Sequence, residues 1–168
     1  MKKRLLLLLL PALLLLIPAF SFAGDTQKAV LITGASSGLG RSMAELLASE
    51  GFFVYAGARK QADMDELNQI ENIQAVRLDV TVQSDIDAAV KTVTESGRGL
   101  YGLINNAGVV VLGPLIEMDE EDFHFQMDVN VYGPYRVTRA FAPLIIESKG
   151  RISTISSISG FLAGPMFG

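Results

Sequence analysis

From Gln27 onward the chain alternates short apolar runs with segments of helical periodicity, and no other feature constrains its fold as tightly. Runs at 29–33, 52–58, 73–78, 100–104 and 151–156 have the length and apolar content of strands. Between them, 38–50, 63–70 and 84–96 read as helices, and a long helical stretch runs from Asp119 toward Glu147. Met43, Ala44, Leu46 and Leu47 form the expected inner stripe of the first helix, and Gly51 ends it. Ile86, Ala89, Val90 and Val93 do the same for 84–96. Asp119 is placed as the N-cap of the long stretch, with acidic residues in its first turn, and Pro134 and Pro143 as the places where it bends or breaks. Met118, Phe123, Phe125 and Met127 read as helix packing, and His124 as an ordinary helix residue. Strand–helix alternation at this rhythm predicts parallel strands joined by right-handed crossovers, a doubly wound α/β sheet. Ligands in such sheets bind at the carboxyl ends of the strands, so the functional residues are sought there.

Composition narrows the chemistry. A net charge of −4 lacks the basic face of a nucleic-acid binder. The absence of cysteine excludes disulfides and thiolate metal sites, and one histidine cannot build a histidine-rich one. The acidic residues at 119–122 read as a solvated helix start, so no metal is expected. After the first strand comes Thr33-Gly34-Ala35-Ser36-Ser37-Gly38-Leu39-Gly40. Its glycines permit a tight turn and close backbone approach, and the helix that follows aims free N–H groups at whatever binds. That combination suits a pyrophosphate.

The spacing Thr-Gly-x3-Gly-x-Gly resembles the short-chain dehydrogenase/reductase family, and four further features agree, three at strand ends and one inside the long helix. Leu78-Asp79-Val80 matches its adenine-contacting Asp, and Asn105-Asn106-Ala107-Gly108 its NNAG motif. Asn130 falls where the family keeps an active-site Asn, and Ser157 where it keeps the catalytic Ser. The resemblance runs from Ala29 to Gly168 and implies a Rossmann-like domain over 25–168. It implies a nicotinamide cofactor held by Gly34, Ser36, Ser37, Gly38, Leu39, Gly40, Asp79, Val80, Asn106, Ala107 and Gly108. The implied reaction is hydride transfer to or from a small alcohol or carbonyl substrate. Ser157 would hydrogen-bond the carbonyl oxygen, and Asn130 would hold a water and the local helix geometry. After the second strand, Ala58 stands where an NAD-preferring pattern has an acid, and Arg59 follows it. Arg59 suits a 2′-phosphate and Ser36 adds a hydroxyl, so NADP(H) is favoured over NAD(H).

The chain departs from the family pattern after Ser157. No Tyr-x3-Lys follows it, and Tyr132 and Tyr135 lie upstream. The expectation is therefore an inactive fragment, incomplete after the fifth strand, whose reading frame continues into a Tyr and a Lys four positions later. The alternative is a non-catalytic dinucleotide-binding or interaction module. A homo-oligomer is open for the full-length protein. Strand five is expected at a sheet edge, with Ile152 and Ile155 exposed to pairing.

Residues 1–23 are set aside from the fold. Met1-Lys2-Lys3-Arg4 precedes an almost pure leucine run, and Ser21 and Ala23 fit a small-x-small cleavage site. This is the layout of a signal peptide cleaved after Ala23, giving an exported protein. Residues 5–22 as a helix would instead span about 27 Å against a bilayer core of about 30 Å, which makes a membrane anchor the rival. An apolar leader beside such a domain favours a lipophilic substrate. Expression in an exporting host, with intact-mass measurement, is expected to give a chain starting at Gly24. An uncleaved chain in the membrane fraction would establish the anchor instead.

Overall fold

The structure is a computed structural model and describes residues 27–162. The leader sequence therefore lies outside the described residues. In chain order the elements are β1 (Ala29–Ile32), α1 (Gly38–Ser49), β2 (Phe53–Ala58), α2 (Gln61–Leu67), β3 (Ile73–Arg77), α3 (Gln83–Glu95) and β4 (Gly102–Asn105). Then follow α4 (Glu120–Met127), a π-helical turn (Asp128–Tyr132), α5 (Gly133–Glu147) and β5 (Arg151–Thr154). All four strand pairings are parallel, in the order β3-β2-β1-β4-β5. The order reverses between β1 and β4, which opens a crevice at their carboxyl ends.

Period-two alternation divides the core in two. Ala29 and Leu31 of β1 face one side, against Ile86, Ala89 and Val93 of α3 and Val137, Phe141 and Ile145 of α5. Val30 and Ile32 face the other, against Ala44 and Ala48 of α1 and Met64 and Leu67 of α2. Strand β1 is buried at every position, so its four residues must all be apolar.

The strands and the first three helices lie within two residues of their expected bounds, except at the end of α2, which stops at Leu67 instead of 70. Four expectations fail in whole or in part. Leu46 is 60% exposed, because α1 turns Gly40, Ala44 and Ala48 toward the sheet. Two residues past Ala44 is about 200° round the helix, so Leu46 points to solvent. The long stretch after Asp119 is not one helix bent at its prolines. The π-helical turn separates α4 from α5, Pro134 sits in the first turn of α5, and Pro143 lies inside α5. Tyr132 keeps helical angles, so helical backbone runs on from the π-helical turn into Pro134, which has no N–H to donate back to it. Asp119 holds the N-cap position of α4, but its side chain makes no capping hydrogen bond. Phe123 and Phe125 are half exposed, and α4 buries no residue. Among the described residues β5 is an edge strand, exposed along its length, with Ile152 and Ile155 open to solvent.

Replacing Phe141, fully buried between α5 and the sheet, by Ala is expected to cost about 3–5 kcal/mol in urea unfolding. Leu46→Ala should stay within about 0.5 kcal/mol. Similar losses from both would contradict the placement of α1.

Candidate functional site

The crevice between β1 and β4 is built around one side chain. Thr33, directly after β1, is 2% exposed, and its Oγ1 accepts hydrogen bonds from the backbone N–H groups of Asn106 and Ala107, both at 2.9 Å. Asn106 returns the contact, its Nδ2 donating to the carbonyls of Thr33 (3.0 Å) and Gly34 (3.1 Å). The loops after β1 and β4 are thus one hydrogen-bonded unit. Ala35 N–H donates to the Gly57 carbonyl (2.8 Å), which ties β2 into it.

Two glycines are required here for different reasons. Gly34 has φ +64°, and a Cβ on it would stand 2.8 Å from Ala107 Cα. Gly40 lies in the first turn of α1, where a Cβ would overlap the Gly34 carbonyl and come within 2.5 Å of Asn106 Nδ2. Gly38 has open space around it but φ +53°, a left-handed conformation that glycine adopts at no steric cost.

These contacts leave a cleft of about 260 Å³ at the strand ends. Gly34, Ser36, Ser37, Leu39 and Gly40 line it from the first loop, Arg59 from the second, Asp79 and Val80 from the third, and Asn106, Ala107 and Gly108 from the fourth. Of the residues the sequence assigned to the cofactor, only Gly38 is not in the wall. Ser37 occupies the N-cap of α1 without a side-chain capping bond, and the first turn of α1 carries no acidic residue. The positive end of the helix dipole therefore faces the cleft uncompensated, which fits a pyrophosphate.

Asp79 is the titratable group of this cleft. Partial burial pushes its carboxyl up, but the Thr81 hydroxyl and N–H, then the Arg59 and Arg77 guanidinium groups, outweigh that and hold it below its ordinary value. Its Oδ1 accepts from Thr81 N (2.9 Å) and Oγ1 (2.7 Å), while Arg59 Nη1 stands 3.8 Å from Oδ2.

Asn130 and Ser157 lie in a second, larger cleft of about 640 Å³, walled mainly by apolar side chains including Leu112, Leu115, Phe123 and Val131. Ser157 Oγ accepts from the Ser159 N–H at 3.1 Å. Val109 borders both clefts, so they adjoin. Asn130, inside the π-helical turn, grips that border: Oδ1 accepts from Val109 N–H (2.9 Å) and Nδ2 donates to the Val109 carbonyl (2.8 Å). Its amide thus ties the Val109 backbone to the π-helical turn. His124 is exposed and faces Glu120 one turn away, outside either cleft.

Comparison with known proteins decides the family: residues 28–168 match the family described as short chain dehydrogenase. The chain belongs to that family. It is 40% identical over 145 residues to 3-amino-tetrahydro-pyrrolizinone reductase of Xenorhabdus hominickii, covering 85% of this chain and 50% of the relative. It is 39% identical over 147 residues to mitochondrial D-beta-hydroxybutyrate dehydrogenase of Bos taurus, covering 82% and 43%. The crystal structure of an actinorhodin polyketide ketoreductase variant with NADPH superposes with a TM-score of 0.77 at 29% identity, covering 83% of this chain and 57% of that one. The chain spans about half the length of the curated relatives it matches. Short-chain dehydrogenases of this kind share the doubly wound sheet, and the two interlocked loops carry two of the motifs that marked the resemblance.

Sequence reasoning passed over Gly57, Leu78, Val109 and Val129 as cleft walls, and Thr33 as the anchor. The signal for Thr33 was a polar residue at the end of an otherwise apolar strand. No helix among the described residues is long and apolar enough to cross a membrane.

Thr33→Val keeps the shape and strands two N–H groups, so a loss of about 1–3 kcal/mol or more is expected in denaturant unfolding. Asp79 contributes stability that is fully present above its unfolded pKa of about 3.9 and is lost as pH falls through its lower folded value. Asp79→Asn should therefore flatten the acid limb of a melting-temperature profile below about pH 4. An acid limb identical to that of the parent chain would refute this.

Proposed function

We propose that the protein is an oxidoreductase that moves hydride between NADP(H) and an alcohol or carbonyl on a lipophilic substrate. The observation that carries this is the uncapped N-terminus of α1 facing a cleft that Asp79 and Arg59 flank, with an apolar cleft adjoining it. The dinucleotide's pyrophosphate would lie against α1 and the Gly34–Gly40 turn, and its adenosine toward Asp79 and Arg59. The cofactor, when bound, supplies or accepts the hydride. Ser157 would donate a hydrogen bond to the substrate oxygen as charge develops there. Asn130 keeps Val109, the wall between the two compartments, in place.

Support for NADP(H) is local. Ala58 offers no carboxylate to ribose hydroxyls, and Arg59, with a side chain 62% exposed, presents a permanent planar cation. The NADPH-bound polyketide ketoreductase is consistent with that choice. Support for a lipophilic substrate is the apolar wall beside Ser157. We further propose that residues 5–22 export the protein or anchor it to a membrane, on the strength of the basic start and leucine run. The exposed Phe123, Phe125 and Tyr135 support a homo-oligomer of the full-length protein.

No Tyr-x3-Lys follows Ser157 in these 168 residues, so binding is the readout that tests the site. Calorimetric titration should show NADP+ binding more tightly than NAD+, and Arg59→Ala should weaken NADP+ about tenfold while sparing NAD+. Equal affinity for the two dinucleotides would remove the case for NADP(H).

A further inference from the structure

We propose that Arg77 acts with Arg59 as a paired cationic clamp for the 2′-phosphate, which makes Arg77 a specificity-determining residue on the neighbouring strand. This rests on the NADP(H) reading above. Arg77 is the last residue of β3, and its register partner across the sheet is Ala58, the position that lacks the ribose-binding acid. It reaches over that gap, Nη1 donating to the Arg59 backbone carbonyl at 3.0 Å. The peptide from which the Arg59 side chain springs is therefore fixed by Arg77. Its Nε lies 3.4 Å from Asp85 Oδ2. Neither contact uses Nη2, which keeps two N–H donors.

Two carboxylates share this corner, and their placement decides whether they cancel the cations. Asp79 Oδ1 is held by the Thr81 hydroxyl and N–H, and Asp85 Oδ2 accepts the Asp79 N–H at 3.3 Å. Both acids are turned inward, with side chains 23% and 15% exposed, whereas Arg59 and Arg77 are 62% and 64% exposed. An incoming phosphate meets guanidinium groups first, while the acids behind them satisfy backbone N–H groups and orient the arginines. Arg59 is only loosely tied to Asp79 at 3.8 Å and is free to swing onto an anion. Arg77 itself is not part of the cleft wall, which it meets through the Arg59 backbone carbonyl. It acts by fixing Arg59's peptide and by adding a second positive charge at the mouth.

The test uses the full chain with NADP+, NAD+ and 2′,5′-ADP as calorimetric probes. Arg77→Met keeps the aliphatic stem but removes charge and donors, and is expected to weaken NADP+ and 2′,5′-ADP about tenfold while NAD+ changes less than about twofold. Arg77→Lys restores the charge without the planar fork and should recover part of the loss. Equal weakening of NADP+ and NAD+ by Arg77→Met, or an unchanged ratio of the two, overturns the clamp. A parent chain that prefers NADP+ while Arg77→Met keeps the same preference overturns the clamp alone. A parent chain that binds neither dinucleotide overturns the cofactor assignment and the clamp with it.

Discussion

The hydroxyl of Thr33 is the contact on which the rest of the site depends. Two loops from strands far apart in sequence are brought together by the parallel sheet, and each carries backbone N–H groups that the sheet no longer satisfies. Thr33 Oγ1 takes two of these, and Asn106 takes the carbonyls on the other side. A serine could accept the same bonds, but a β-branched residue loses less rotamer freedom when held in one orientation. Because both loops are locked, Gly40 must pass close against Gly34 and Asn106, and that close passage sets where α1 begins. The helix dipole is aimed by a hydrogen-bond network rather than by its own sequence.

Charge is layered rather than balanced at the outer end of the same cleft. Inward carboxylates of Asp79 and Asp85 hold backbone donors, and outward guanidinium groups of Arg59 and Arg77 face solvent. In water such exposed pairs contribute little to stability, so their arrangement bears more on what approaches than on what holds the fold.

The sheet was legible because its signals are local. Four apolar residues in β1 and the alternation of strands with helices point to a doubly wound parallel sheet, and the glycine turn fixes where to look along it. The cleft residues followed from the glycine turn and from the family resemblance of the other strand ends, with Gly38 serving the turn and not the wall. Less legible were features set by tertiary geometry. Leu46 looked like core because periodicity gives a stripe but not the rotation of the helix against a sheet. A bend or break of the long stretch was expected at Pro134 and Pro143, whereas the π-helical turn lies ahead of both. Phe123 and Phe125 read as packing, but periodicity does not name the surface that an apolar side chain meets. Arg77 gave no signal at all, since strand register is needed to bring it beside Ala58.

The grip of Asn130 on Val109 has a chemical consequence for the boundary it maintains. With its N–H and one carbonyl lone pair both engaged by one amide, Val109 has no backbone donor of its own left to offer. At Val109 the boundary then turns an isopropyl group toward either compartment and keeps its own N–H out of reach of both. A molecule that needs a donor must find it on another residue of the walls.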